Sequence, residues 1–333
     1  MVIQLNNNIN ATQHQEIASK VSLVGYSSTY VNTQFGKYLV CIGKKEVDLR
    51  NLGSLDGVKD IFRVDDPYKL VSSQWKVGKT SIDLGDGVLI GNGHFQTMVG
   101  PCSIESEAQI ISTIDHMKAN GLRIMRGGVF KPRSSPYSFR GHGVELLKLW
   151  SELAKESNIK IITEVMQVSQ IEEMMPYVDI FQVGARNSQN FNLLDELGRV
   201  DKPVMLKRGI SGTIEELLQS AEYIFSNGNE KILLCERGIR SYETAYRNTM
   251  DINAIAILKD KSHLPVVADP SHGIGLRKYV DKIALSCVAG GADAIIMEVH
   301  ECPEKALSDG QQTLDYDQSS DLVYKINQIR AII

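Results

Sequence analysis

From residue 97 onward the chain alternates short apolar runs with longer stretches of helical periodicity. The runs are TMVG (97–100), LRIM (122–125), KIIT (160–163), DIFQVG (179–184), PVMLK (203–207), KILLCE (231–236), PVVAD (265–269) and AIIMEV (294–299). Between them lie patterns such as SEAQIISTIDHMKANG and GTIEELLQSAEYIFSNG, with the spacing of amphipathic helices. The runs are short, rich in Val and Ile, and apolar without a polar face, as strands of a parallel sheet are. Eight such units predict a (β/α)8 barrel over 97–333. An open doubly wound sheet is the alternative. It calls for a Gly-rich first turn of the G-x-G-x-x-G kind, and none follows the first run.

Residues 1–66 follow another pattern. VIQL reads as a strand, ATQHQEIASKVSLVG as a helix, TYVNTQ and KYLVCIG as paired strands, and DLRNLGSLDGVKDIFRV as a short helix and a strand. The order βαββαβ suits a small ferredoxin-like domain. Residues 67–96 then read as a polar linker, DDPYKLVSSQWKVGK running into it, and a hairpin, SIDLGDGVLIGNGHF, with Asp-Gly at its turn.

The formal net charge of -4 gives no bulk basic field for nucleic acid or an anionic membrane. No apolar run approaches the roughly 18 residues that span a bilayer. The start, MVIQLNNNIN, lacks a basic end and an apolar signal core, so a cytoplasmic protein is expected. The five cysteines are scattered and odd in number, which argues against a disulfide framework or a CxxC zinc finger.

Function in such barrels gathers at the C-terminal ends of the strands, and every run here ends on a polar group. Cys102 follows the first run; Arg126, Lys131 and Arg133 follow the second, the last two in the Pro-broken loop FKPRSSPYSFRG. Glu164 closes the third run and Arg186 the fourth, next to Ala185. Lys207 and Arg208 close the fifth, Glu236 and Arg237 the sixth, Asp269 and His272 the seventh, Glu298 and His300 the eighth. Six cations (Arg126, Lys131, Arg133, Arg186, Lys207, Arg237) converging on one opening repel one another unless anions fill it. Arg pairs with phosphate and carboxylate through two N–H groups, so two phosphorylated substrates, or a phosphate and a carboxylate, fit the number. Solvated surface charge would explain any one of them, but poorly Arg126 and Lys207 at the ends of apolar runs. The first and eighth strands of a closed barrel are neighbours. Cys102, His272 and Glu298 would therefore meet, with a fourth ligand from Glu301, Glu304 or Asp309, as a mixed site for a borderline divalent ion. Singly, each reads more simply; a lone buried Cys is usually a small hydrophobe.

GPCSIES, FKPRSS, QVGARN, VMLKRG, CERG, DPSHG and EVH resemble, in order, the motifs of the 3-deoxy-D-arabino-heptulosonate 7-phosphate (DAHP) synthase family. The resemblance covers residues 97 to about 315, and more loosely the whole chain, with a front unit similar to the regulatory domain of the type Iβ branch. It implies condensation of phosphoenolpyruvate with erythrose 4-phosphate, the first step toward chorismate and the aromatic amino acids. It implies phosphoenolpyruvate held by Arg126, Lys131, the backbone at Ala185, Arg186, Lys207 and Arg237. Arg133 and Ser134 would take the phosphate of erythrose 4-phosphate, Ser standing where the family usually has Thr. A divalent ion (Mn, Co, Fe, Zn or similar) would be held by Cys102, His272, Glu298 and Asp309. Lys131, with a pKa lowered by neighbouring cations, would act as proton donor, and Glu164 would steer the attacking water.

The related 3-deoxy-D-manno-octulosonate 8-phosphate synthases typically carry Ala-Asn where this chain has Pro132 and Arg133. A Schiff-base aldolase using Lys207 is a second alternative, and a metabolite sensor on a retired barrel a third. Fusion to a chorismate mutase would need a helical extension, whereas residues 1–66 alternate strand and helix. The resemblance further implies a homotetramer and feedback by an aromatic amino acid such as tyrosine or phenylalanine. The effector, held between two front units, would fix them over the barrel mouth. A pure oligomerisation role for the front unit stays open.

Overall fold

A computed structural model describes residues 1–44, 47–131, 137 and 139–333. Eight parallel strands close into a barrel: β7 (Gln96–Gly100), β8 (Ile124–Arg126), β9 (Lys160–Glu164), β10 (Ile180–Val183), β11 (Val204–Lys207), β12 (Ile232–Glu236), β13 (Val266–Ala268) and β14 (Ala294–Glu298). β14 pairs with β7 from Ala294↔Gln96 to Glu298↔Gly100, which completes the ring. The helices outside include α3 (Glu107–Ala119), α4 (Val144–Glu156), α6 (Phe191–Gly198), α7 (Ile214–Ser226), α8 (Ile252–Lys261), α10 (Arg277–Ala289) and α11 (Tyr316–Arg330). Local sequence sets their starts: Thr213 and Glu216 form a reciprocal capping box on α7, satisfying two otherwise orphaned backbone donors.

Alternation along each strand separates two cores. Met98, Ile124, Ile162, Ile180, Met205, Leu233, Cys235, Val267, Ala294 and Ile296 fill the barrel interior. Their neighbours Val99, Met125, Ile161, Phe181, Leu206, Leu234, Val266 and Ile295 pack outward with the helices. The hairpin of β5 (Ile82–Asp83) and β6 (Leu89–Ile90) adds Ile82, Val88 and Ile90 to the interior cluster. It plugs the end of the barrel where the strands begin, with Lys160 at the start of β9 bridging to Asp86 at 2.7 Å.

The front unit runs β1 (Val2–Leu5), α1 (Ala11–Leu23), β2 (Ser27–Asn32), β3 (Lys37–Ile42), α2 (Arg50–Gly53), β4 (Val58–Phe62). Its antiparallel sheet has the order β2-β3-β1-β4. Ile3, Leu5 and Leu39 on one face pack with Ile17, Val21 and Leu52 of the two helices. Val2, Val31 and Tyr38 on the other face join the main core. Tyr38 packs edge-on to Trp75 at 5.2 Å and donates to the buried carboxylate of Glu230 at 3.1 Å. Thr33 donates to the same carboxylate. Glu230 lies just before β12, so the front unit meets its own barrel at the end opposite the strand C-termini. The expected cover over the mouth would have to come from a second copy.

The segment read as a polar linker is instead packed. Tyr68, Leu70, Val71 and Trp75 are buried. Glu222 of α7 accepts from the backbone N–H of Leu70 at 2.8 Å and of Val71 at 3.0 Å, and Trp75 Nε1 donates to Leu70 O at 2.7 Å. Polar residues flank these four and hid them from a composition-based reading. Trp75→Ala should therefore cost about 3–5 kcal/mol, the usual range for a buried aromatic truncated in a core. Urea unfolding checks this; a loss below 1 kcal/mol would show the segment to be loosely held.

Candidate active site at the barrel mouth

Two residues past the last interior core residue of six strands, the same alternation delivers a charged inward side chain at the mouth. Ile124 is followed by Arg126, Ile162 by Glu164, Met205 by Lys207, Cys235 by Arg237, Val267 by Asp269 and Ile296 by Glu298. In β7 the equivalent position is Gly100, at φ +148°, where an added Cβ would lie 2.1 Å from Arg126 O. No side chain fits there, and the strand runs on to Cys102. The opposite parity explains a correction. Arg208 and Glu236 do not join the inward set; they pair with each other at 2.8 Å, and Arg208 also reaches Asp251 at 2.9 Å. Arg208 Nε donates to Gly212 O at 2.8 Å, tying the loop before α7 to the end of β12.

At the β7–β14 seam, Cys102, Glu298 and Asp309 bring one ligand atom each to within 4.8 Å of one another. The Cys102 thiol donates to Asp309 Oδ2 at 3.2 Å. His272 Nε2 lies 3.5 Å from Glu298 Oε1. The group of three mutually close donors does not include His272, which touches it through Glu298. The other face of Glu298 is fixed by Gln312 Nε2, donating at 2.6 Å, and Gln312 in turn accepts from Arg247 at 2.9 Å. Burial, then Glu298, pushes the Cys102 thiol up to about 12. Burial opposes ionisation of Glu298 too, but His272 and Arg126 overcome it and hold the carboxyl below its ordinary value. Two carboxylates, a thiol and an imidazole around one point suit a divalent cation, which would also favour the thiolate.

Two of the cations, Arg126 and Lys131, touch this cluster, and most of the set are not bare charges. Arg126 Nη1 pairs with Glu298 at 3.2 Å, while its buried Nε has no partner among the described residues. Lys207 pairs with Asp269 at 2.6 Å. Lys131 Nζ donates to Cys102 O at 3.1 Å and lies 2.9 Å from Cys102 Sγ. Burial works against the ammonium, yet Cys102 and Glu298 outweigh it, so the Lys131 pKa is raised. The expected lowering is corrected: the pull of Cys102 and Glu298 outweighs the repulsion from Arg126. Arg237 is buried and, among the described residues, donates only to Gly238 O, at 3.2 Å; burial lowers its pKa. Arg186 is exposed and has no ion pair among the described residues. Both guanidiniums leave capacity for an anion. Arg186 and Ala185 line a cleft of about 400 Å³ with Ser188, Gly209, Ile210 and Gly212. Glu164 is half-buried beside Gly184, where a Cβ would sit 2.1 Å from its Oε1. Arg133 and Ser134 lie outside the described residues.

Residues 75–333 match the DAHP synthetase I family. The chain belongs to that family. It is 48% identical over 276 residues to phospho-2-dehydro-3-deoxyheptonate aldolase of Thermotoga maritima, covering 83% of this chain and 81% of that one. A crystal structure of the DAHP synthase from that organism superposes with a TM-score of 0.79 at 41% identity, over 99% of this chain and 97% of the other. A truncated form of 3-deoxy-D-arabino-heptulosonate 7-phosphate synthase from the same organism covers 80% of this chain and 97% of its own, with a TM-score of 0.75 at 43% identity. A more distant relative, 2-dehydro-3-deoxyphosphooctonate aldolase of Syntrophobacter fumaroxidans, is 32% identical over 74% of this chain and 91% of its own length.

Sequence reasoning placed Asp269 at the mouth without giving it a role, and did not name Gln312. Parity from Val267 marks Asp269 as inward; nothing in the local pattern marks Gln312.

Arg208 serves as a brace, and its removal is measurable. Arg208→Met leaves Glu236 buried without a cation and should cost about 3–5 kcal/mol. Burial already raises the Glu236 pKa against the pull of Arg208. In the variant the folded-state pKa rises further above the unfolded one. The folded state then binds more protons, so stability falls as pH rises through that pKa. Urea unfolding at pH 5 and pH 8 should show the larger deficit at pH 8; equal deficits would contradict the pairing.

Proposed function

We propose that this chain condenses phosphoenolpyruvate with erythrose 4-phosphate and water to give 3-deoxy-D-arabino-heptulosonate 7-phosphate and phosphate. The observation that carries the reading is the thiol–carboxylate cluster of Cys102, Glu298 and Asp309 in a barrel mouth that also holds the buried Arg237, near Asp269 and without an ion pair among the described residues, in a chain of this family.

In this reading Arg186, Arg237 and Lys207 hold the phosphate of phosphoenolpyruvate, with the backbone at Ala185. Arg126 and Lys131 take its carboxylate side. Arg133 and Ser134 take the phosphate of erythrose 4-phosphate. Cys102, His272, Glu298 and Asp309 hold a divalent ion, which when bound supplies Lewis acidity toward the aldehyde. The enol carbon of phosphoenolpyruvate forms a bond to the aldehyde carbon. Water adds to the phosphate-bearing carbon, the C–O bond to phosphate breaks, and a ketone is left. Lys131, held charged beside Cys102, donates the proton that the aldehyde oxygen needs. Glu164 orients the water. Fixing both substrates in one mouth supplies the orientation term.

The antiparallel order β2-β3-β1-β4 with two helices on one face supports a ferredoxin-like front domain of the type Iβ kind, here assigned to 1–66, with 67–96 joining it to a catalytic barrel at 97–333. We assign it an aromatic amino acid effector, and the protein a homotetrameric, cytoplasmic state. No helix among the described residues is long and apolar enough to cross a membrane.

Phosphate release from phosphoenolpyruvate should be fast with erythrose 4-phosphate, slow with arabinose 5-phosphate, and lost in excess chelator. Preference for arabinose 5-phosphate would move the assignment to the octulosonate branch. Full turnover with no bound metal would remove the metal site. Losing a charged hydrogen bond costs roughly 1.5–3 kcal/mol, so Arg133→Ala should raise KM for the aldehyde about 10–100-fold and leave phosphoenolpyruvate nearly unaffected.

Tyrosine or phenylalanine should inhibit the full chain but not one starting at Asp65. Because Tyr68, Leu70 and Val71 are core residues, that start keeps them, whereas a start at Ser73 would remove them. Equal insensitivity of both chains, with only assembly altered, would leave the front unit as an oligomerisation module.

A further inference from the structure

Asp269 stands between the metal cluster and the phosphate-binding cations, and neither set includes it. It is buried at 1% exposure. Its Oδ1 accepts from the backbone N–H of His272 at 3.1 Å and caps α9 (Pro270–Ile274). Its Oδ2 accepts from His272 Nδ1 at 2.8 Å and from Lys207 Nζ at 2.6 Å. One oxygen atom thus holds a side chain from each half of the site. The proton on Nδ1 fixes the imidazole tautomer and leaves the Nε2 lone pair free on the side of Glu298, 3.5 Å away. Burial opposes ionisation of Asp269, but His272 and Lys207 overcome it, and the carboxyl is held well below the usual range.

We propose that Asp269 is a positioning residue that couples divalent-metal binding to phosphoenolpyruvate binding through its shared contact with His272 and Lys207. The inference rests on the proposed roles of those two residues. With a metal held at Nε2, the imidazole of His272 would be more acidic and its Nδ1–H would bond more strongly to Oδ2. The same oxygen then holds Lys207 less strongly, and its ammonium is freer to meet the substrate phosphate. Metal therefore raises affinity for phosphoenolpyruvate, and by linkage phosphoenolpyruvate raises affinity for metal by the same factor.

Titration calorimetry on the full chain tests this without turnover. Mn²⁺ is titrated with and without phosphoenolpyruvate, and phosphoenolpyruvate with and without Mn²⁺. In the wild type each should tighten the other about 5-fold or more. In Asp269→Asn, which retains a side-chain cap, Mn²⁺ affinity should fall about 10–100-fold, and the mutual tightening should shrink to near unity. Asp269→Ser, which also caps, should behave the same way. Unchanged Mn²⁺ affinity, or full coupling in folded variants, would overturn the proposal. So would absence of coupling in the wild type, which decides the matter even where a variant does not fold. Wild-type protein that binds no Mn²⁺ at all would instead refute the metal reading beneath it.

Discussion

The mouth depends on burying acids and bases side by side so that no charge is left uncompensated. Glu298 with Arg126, and Asp269 with Lys207, lie at 1–5% side-chain exposure. Removing one partner from such a pair typically costs about 3–5 kcal/mol, so each pair constrains the other's position. Arg237 escapes this rule: among the described residues it is buried against a carbonyl with no acid in ion-pair distance, and Arg126, though paired, keeps an orphan Nε. A small anion in the mouth, as the proposed function requires, would relieve both shortfalls.

Barrel closure makes the arrangement possible. Met98, Ile162, Met205, Val267 and their counterparts fill the lumen below, so inward positions one step higher have no apolar neighbours above them and must be polar. Gly100 lets the backbone of Arg126 on the neighbouring strand come close, and the hairpin at 82–90 closes the other end. Substrates have one entrance, and the ionisable residues line it. The front unit is keyed by Tyr38 and Thr33 to Glu230 at the far end. Any control it exerts on the mouth acts through the strands above Glu230 or through a neighbouring copy.

Much of this was legible in the sequence. The eight runs gave the barrel because parallel strands are apolar on both faces, and each run's last residue was polar because the lumen ends there. Cys102, Glu298 and Asp309 were expected together and do meet. Reading strand ends without parity is where the reasoning lost resolution. Arg208 and Glu236 face away from the lumen and neutralise each other, whereas Asp269 faces in. The segment around Trp75 was taken for a linker because Asp65, Asp66, Lys76 and Lys79 flank it, although burial is decided by Leu70, Val71 and Trp75. The sign at Lys131 was missed because it depends on contacts of 2.9–3.1 Å with Cys102, which no spacing rule supplies.

The most direct test of the account is a crystal structure of the chain with Mn²⁺ and phosphoenolpyruvate, using anomalous diffraction to find the metal. The account predicts one strong peak within bonding distance of Cys102 Sγ, His272 Nε2, Glu298 and Asp309, with the substrate phosphate against Arg186, Lys207 and Arg237. A metal bound elsewhere, or phosphoenolpyruvate seated away from those cations, would contradict it.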